Sequence, residues 1–99
     1  MAFQDFDMGN QWLPFTPNRH FKKEPRVFVG AEGMHFTTHA GKQVIDGISS
    51  LWCVAAGHRR AGINEAIKRQ LDTLDYATAF QASNDQAFKA AEMIAATLR

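Results

Sequence analysis

Asp46-Gly47-Ile48-Ser49-Ser50-Leu51-Trp52-Cys53-Val54-Ala55-Ala56-Gly57-His58 is the stretch that decides how this chain is read. An alternating β pattern stops where it begins, and a helical pattern starts where it ends. Its middle is apolar and small, with one large aromatic, Trp52, set among Ser, Ala and Gly. Such a backbone packs closely and leaves room beside the indole. Aromatic side chains give a ligand a large contact area with few rotors, so Trp52 is a candidate rigid wall. The plainer alternative is that Trp52 is a core residue.

Upstream, Arg26 to Asp46 reads as β structure. Arg26-Val27-Phe28-Val29-Gly30 predicts a first strand, and Ala31-Glu32-Gly33 a turn with glycine available for positive φ. Met34 to Thr38 sets Met34 and Phe36 against His35 and Thr37, the period-two pattern of a half-buried strand. His39 to Lys42 turns again, and Gln43 to Asp46 predicts a third strand. Connections this short make hairpins, so the segment is an antiparallel meander of three strands. Such a sheet is marginal without a partner layer.

Before the meander, Met1 to Pro25 has no sustained periodicity and reads as an irregular arm. Pro14, Pro17 and Pro25 deny donors that a helix interior or inner strand needs. Phe3, Phe6, Trp12, Phe15 and Phe21 must rest their rings on some other surface, as arms do on a neighbouring subunit.

Beyond the central stretch, Gly57 to Asp75 becomes helical. Ile63, Ala66, Ile67, Gln70, Leu71 and Leu74 form one stripe, while Glu65, Lys68, Arg69 and Asp72 face away. Tyr76 to Gln81 is a connection with few charges. Ser83 and Gln86 stand at capping-box spacing before a second helix, whose stripe is Ala87, Ala91, Ile94, Ala95 and Leu98.

Composition excludes several classes. At 99 residues the chain holds one small domain at most. A net charge of +1 gives no electrostatic case for nucleic acid or a membrane surface. No apolar run approaches the ~20 residues of a membrane helix, and no secretion signal opens the chain. Cys53, the lone cysteine, cannot form an intrachain disulfide and suits a reducing compartment; the expected location is cytoplasmic. With no cationic neighbour in sequence and burial expected beside Trp52, Cys53 reads as inert packing. His20, His35, His39 and His58 show no metal-ligand spacing, so they read as solvent-facing or locally hydrogen-bonded. Serines 49 and 50 form no nucleophile elbow, and the glycines no phosphate cradle.

Asp46-Gly47, Ser50-Leu51-Trp52-Cys53-Val54 and Gly57-His58 together resemble the N-terminal region of class III, pyridoxal-phosphate-dependent aminotransferases. The nearer likeness is to the subgroup that uses ω-amino acids or amines with pyruvate, such as the β-alanine–pyruvate aminotransferases. It extends to Trp12-Leu13-Pro14-Phe15-Thr16 upstream and to Leu74-Asp75-Tyr76-Ala77-Thr78-Ala79-Phe80 downstream. The chain departs from the family at Arg59, where a Gly or Cys is commoner, and at Thr38 and His39, where an acidic residue is usual.

The resemblance implies an α+β fragment of a fold-type I transferase that is α/β in full length. It implies an arm over 1–25 at the dimer contact and pocket mouth, and a β-meander of the small domain over 26–50. Residues 51–99 then form a pocket-wall segment with two amphipathic helices leading into the large cofactor domain. Trp52, Leu51 and Phe15 match positions that line the substrate pocket, and Phe80 an aromatic contributed across a dimer interface. The plain alternatives are hydrophobic anchoring for Phe15 and interface packing for Phe80. The implied activity is ping-pong amino transfer between a small-molecule donor and pyruvate, with pyridoxal 5′-phosphate bound by a full-length homodimer or tetramer. None of Lys22, Lys23, Lys42, Lys68 and Lys89 matches the Schiff-base lysine, which lies beyond residue 99, so the fragment is expected to be inactive alone. It carries no catalytic, cofactor-binding or metal residue on this reading. The alternative class is a free-standing α+β interaction module that oligomerises through its aromatic arm.

Overall fold

The computed structural model describes residues 7–98, so Phe3 and Phe6 of the arm lie outside the described residues. The chain forms two compact units, one ending at Ala61 and the other beginning at Gly62.

The arm of the first unit is not irregular throughout. Residues Asn18–Lys23 form a short helix, α1. Pro17 stands just before it, and its carbonyl accepts from the amides of His20 and Phe21, both at 3.0 Å. A proline outside the first turn gives up no helical donor, which is how the proline-rich arm accommodates a helix. Asn18 is buried and spans the preceding loop: Oδ1 accepts from Leu13 N at 2.8 Å, while Nδ2 donates to the carbonyls of Leu13 and Thr16, each at 2.9 Å. One side chain thus supplies partners for backbone that no sheet or helix satisfies.

The expected meander is present, with shifted edges. Strands β1 (Phe28–Glu32), β2 (His35–Thr38) and β3 (Gln43–Ile45) pair antiparallel in the order β1-β2-β3. The first turn falls at Gly33-Met34, so Met34 lies outside β2 and is exposed. Between Phe28 and Gly30 the register slips by one, leaving Val29 as the extra residue of a bulge. Phe36 pairs with Ala31, and strict alternation would put Phe28, three residues from Ala31, on the opposite face. The bulge reverses this. Phe28 stacks on Phe36 with centroids 4.1 Å apart and planes 10° from parallel.

A single turn, α2 (Ser49–Trp52), follows the sheet; α3 (Ala61–Thr73), which starts at the boundary of the two units, begins four residues later than the periodicity suggests, and α4 spans Asp85–Thr97. Arg59 takes a left-handed φ of 54°, which no right-handed helix admits, so α3 cannot start at Gly57. Lys68 pairs with Glu65 at 2.8 Å, as expected on an exposed helix face. The cap of α4 is Asn84, not Ser83. Asn84 has extended φ and ψ of −129° and 162°, and its Oδ1 accepts from Ala87 N at 3.0 Å.

Among the described residues no apolar side chain is buried, and the stripes of both helices are open. The apolar pattern is right for the elements, but these residues do not supply what would cover it.

Candidate functional site

The central stretch, which the sequence marks as neither strand nor helix, folds as a left-handed turn. Ser49, Ser50, Leu51 and Trp52 all have positive φ, at 50°, 48°, 65° and 71°. The amides of Trp52 and Cys53 close the turn onto the carbonyls of Ile48 and Ser49, at 2.9 and 2.8 Å. For non-glycine residues this region costs about 1–2 kcal/mol each, so the surroundings must hold the turn in place.

What holds it is Asp46. Its Oδ1 accepts from Ser50 N at 2.9 Å and from Ile48 N at 3.3 Å, and its Oδ2 contacts His58 Nε2 at 2.7 Å. An ionised carboxylate can only accept, so Nε2 carries the proton and donates. The Ser50 amide is the main influence lowering the Asp46 pKa, burial opposes it, and His58 and the Ile48 amide lower it further. The two side chains are well shielded, with 12% of His58 and 3% of Asp46 exposed.

Both partners are fixed by the sheet. Asp46 N donates to Met34 O at 2.8 Å, extending the β2–β3 pairing. His58 exchanges two backbone bonds with Gly33, His58 N to Gly33 O at 2.7 Å and Gly33 N to His58 O at 3.1 Å. Gly57 lets the chain turn into that pairing, because its φ of 96° is one that residues with a side chain rarely adopt. The imidazole also lies on Phe36, with centroids 4.5 Å apart. A cleft of about 600 Å³ opens beside this pair, lined by Met34, Asp46, Ser49, Val54, His58 and Arg60 among others.

None of the four residues singled out from the sequence lines that cleft. All are exposed: Leu51 by 62%, Trp52 by 84%, Phe15 by 108% and Phe80 by 88%. Leu51 and Trp52 sit side by side on the left-handed turn, Phe15 has a left-handed φ of 50° in the arm, and Phe80 belongs to the second unit. Trp52 is therefore no core residue of this chain. Cys53 is exposed rather than buried, because it follows the turn, and its thiol lies 3.3 Å from Leu51 O. Sequence reasoning missed the Asp46–His58 pair. Its one signal was that the two residues bracket the stretch, twelve positions apart.

Among the described residues no group of three His, Cys, Asp or Glu could hold a metal ion, and no helix is long and apolar enough to cross a membrane. The lysines do not fit a Schiff-base group, which needs a desolvated amine. Lys68 and Lys89 pair with Glu65 and Asp85 on exposed helix faces, Lys22 lies 5.7 Å from the Trp12 ring, and Lys23 and Lys42 are exposed.

No protein-family model matches the chain. Over 94 residues, 95% of its length, it is 45% identical to the β-alanine–pyruvate aminotransferase of Pseudomonas aeruginosa, of which the match covers 21%. Over 89 residues, 90% of its length, it is 45% identical to an ω-aminotransferase of Caulobacter vibrioides, of which the match covers 20%. Among solved structures, an (S)-enantioselective ω-transaminase from Thermomicrobium roseum aligns with a TM-score of 0.81 at 28% identity, over 92% of this chain and 21% of that one. An adenosylmethionine-8-amino-7-oxononanoate aminotransferase from Methanocaldococcus jannaschii aligns at 0.79, also at 28% identity, over 87% of this chain and 20% of that one. The chain spans about a fifth of the length of the curated relatives it matches.

In sequence and fold the chain is thus similar to one segment of the class III aminotransferases. Two relatives at 45% identity are named for β-alanine or ω-amino acids with pyruvate.

Proposed function

We propose that the chain is the N-terminal portion of an ω-amino acid or amine:pyruvate aminotransferase, and that it supplies substrate-pocket walls and dimer contacts. Residues 1–25 form the arm at the dimer contact and pocket mouth, residues 26–50 the meander of the small domain, and residues 51–99 the wall and the helices entering the cofactor domain. Trp52 and Leu51 form the wall with Phe15 beside them, and Phe80 reaches the partner subunit's pocket in a cytoplasmic homodimer or tetramer. The observation that carries this reading is the exposed indole of Trp52 on a held left-handed turn. Four such φ values in succession are costly, and backbone strain of this kind is concentrated at functional sites.

Such a wall suits an amine with an apolar middle. It excludes water and fixes orientation, and a cationic amine over a ring face gains ~0.5–2 kcal/mol. Pyridoxal phosphate supplies the amino-transfer chemistry in the whole enzyme. The lysines of this segment do not fit it, so the segment alone is inactive.

The test is Trp52→Ala in the full-length enzyme. Turnover of bulky amines should fall by about 10–100-fold, the effect of losing one aromatic contact, with the cofactor's absorbance retained. Loss of the cofactor instead would make Trp52 structural and overturn the wall. The reading frame beyond codon 99 gives a second check. A strand followed by a cofactor lysine is expected there, whereas a stop codon would favour a free-standing module.

A further inference from the structure

We propose that Asp46 and His58 are positioning residues for substrate selection: they set where Trp52 stands without touching substrate themselves. This inference rests on the wall role given to Trp52 above.

The contacts of Trp52 N and Cys53 N with Ile48 O and Ser49 O run within the turn and fix no direction relative to the sheet. Trp52 and Leu51 are exposed, so the backbone beneath them decides where they point. From outside the turn, Asp46 Oδ1 grips the amides of Ser50 and Ile48. The other oxygen, Oδ2, is held by His58, whose backbone is tied to Gly33 in both directions and whose ring rests on Phe36. A line of contacts therefore runs from the meander through Phe36, His58 and Asp46 to the amide of Ser50, two residues before Trp52. Removing the carboxylate releases the end of the turn that the sheet controls. The indole then samples directions that no longer discriminate between large and small amines.

The experiment uses the full-length enzyme with Asp46→Ala, Asp46→Asn and His58→Asn, each with and without Trp52→Ala. The readout is the ratio of kcat/KM for an arylalkylamine to that for β-alanine, per cofactor-bearing subunit. Asp46→Ala should shift this ratio about tenfold in the same direction as Trp52→Ala, and the double variant no further than the larger single effect. Asp46→Asn should keep most of the discrimination, because its amide oxygen still accepts from Ser50 N and Ile48 N. His58→Asn keeps the Gly33 bonds but is too short to reach Asp46. It carries the test if Asp46→Ala fails to fold, and should shift the ratio about threefold. A crystal structure of the Asp46→Ala enzyme should show Ser49 to Trp52 leaving the left-handed region.

An unchanged ratio in Asp46→Ala, effects that multiply with Trp52→Ala, or a turn that keeps its φ values would overturn the positioning role while leaving the wall intact. An unchanged ratio in Trp52→Ala itself removes the wall, and the positioning role with it.

Discussion

The imidazole of His58 lies against the ring of Phe36, with centroids 4.5 Å apart and planes at 56°, while its Nε2 reaches the Asp46 carboxylate at 2.7 Å. The ring of Phe36 therefore serves two neighbours, because Phe28 stacks on it as well. Phe36→Leu stays apolar but loses both ring contacts, each of which contributes ~0.5–1.5 kcal/mol beyond area. In the full-length protein it should lower stability by about 1–2 kcal/mol, read as an earlier denaturant midpoint. No shift would mean that the rings merely lie near one another.

The arm depends on Asn18, whose amide makes three hydrogen bonds while buried. Asn18→Ala strands the Leu13 amide and two carbonyls, at about 1–3 kcal/mol. Limited proteolysis of the full-length variant should cut first between residues 11 and 23. Asn18→Asp, which keeps the acceptor and loses the donors, should be cut more slowly than the alanine variant.

Arg59 stands at φ 54°, where a side chain crowds the backbone and glycine does not. Arg59→Gly should stabilise the full-length protein by about 0.5–1 kcal/mol, the left-handed penalty less the extra entropy glycine loses on folding. A higher melting temperature is the expected reading; a lower one would show that the arginine contributes contacts of its own.

Asp46 titrates below its ordinary value of 3.8, because the Ser50 amide, then His58 and the Ile48 amide, favour its charged form against burial. The folded pKa is the depressed one. The carboxylate's contribution is therefore complete above 3.8 and is lost as the pH falls below that value. The protection factor of the Ser50 amide in hydrogen exchange should stay flat from about pH 7 to 5 and fall under stronger acid. Asp46→Asn should abolish that fall.

The isolated 99-residue chain leaves both helix stripes uncovered. It should self-associate and bind a hydrophobic dye, because apolar surface on this scale seeks a partner. A monomer by light scattering with a cooperative calorimetric transition would contradict this.

The elements were largely legible in the residues. Period-two alternation and short turns marked the meander, and three-to-four spacing marked both helices, because these periods are local properties of the backbone. Proline misled the reading of the arm: Pro17 lies just outside α1, and the buried Asn18 that organises the loop looks in sequence like any polar residue. Ser83 and Asn84 were both chemically able to cap α4, and only the extended backbone at Asn84 chose between them.

Sequence by itself determined the order of the three meander strands and the two long helices, and the likeness of the chain from about Trp12 onward to one enzyme class. It singled out Trp52 because a large ring among small residues is a local pattern. Tertiary structure alone decided that Ser49 to Trp52 wind left-handed, that the bulge at Val29 brings Phe28 onto Phe36, and that Asp46 meets His58 across twelve residues. Those facts depend on a sheet register and on the turn at Gly57, and neither leaves a periodic trace in the chain.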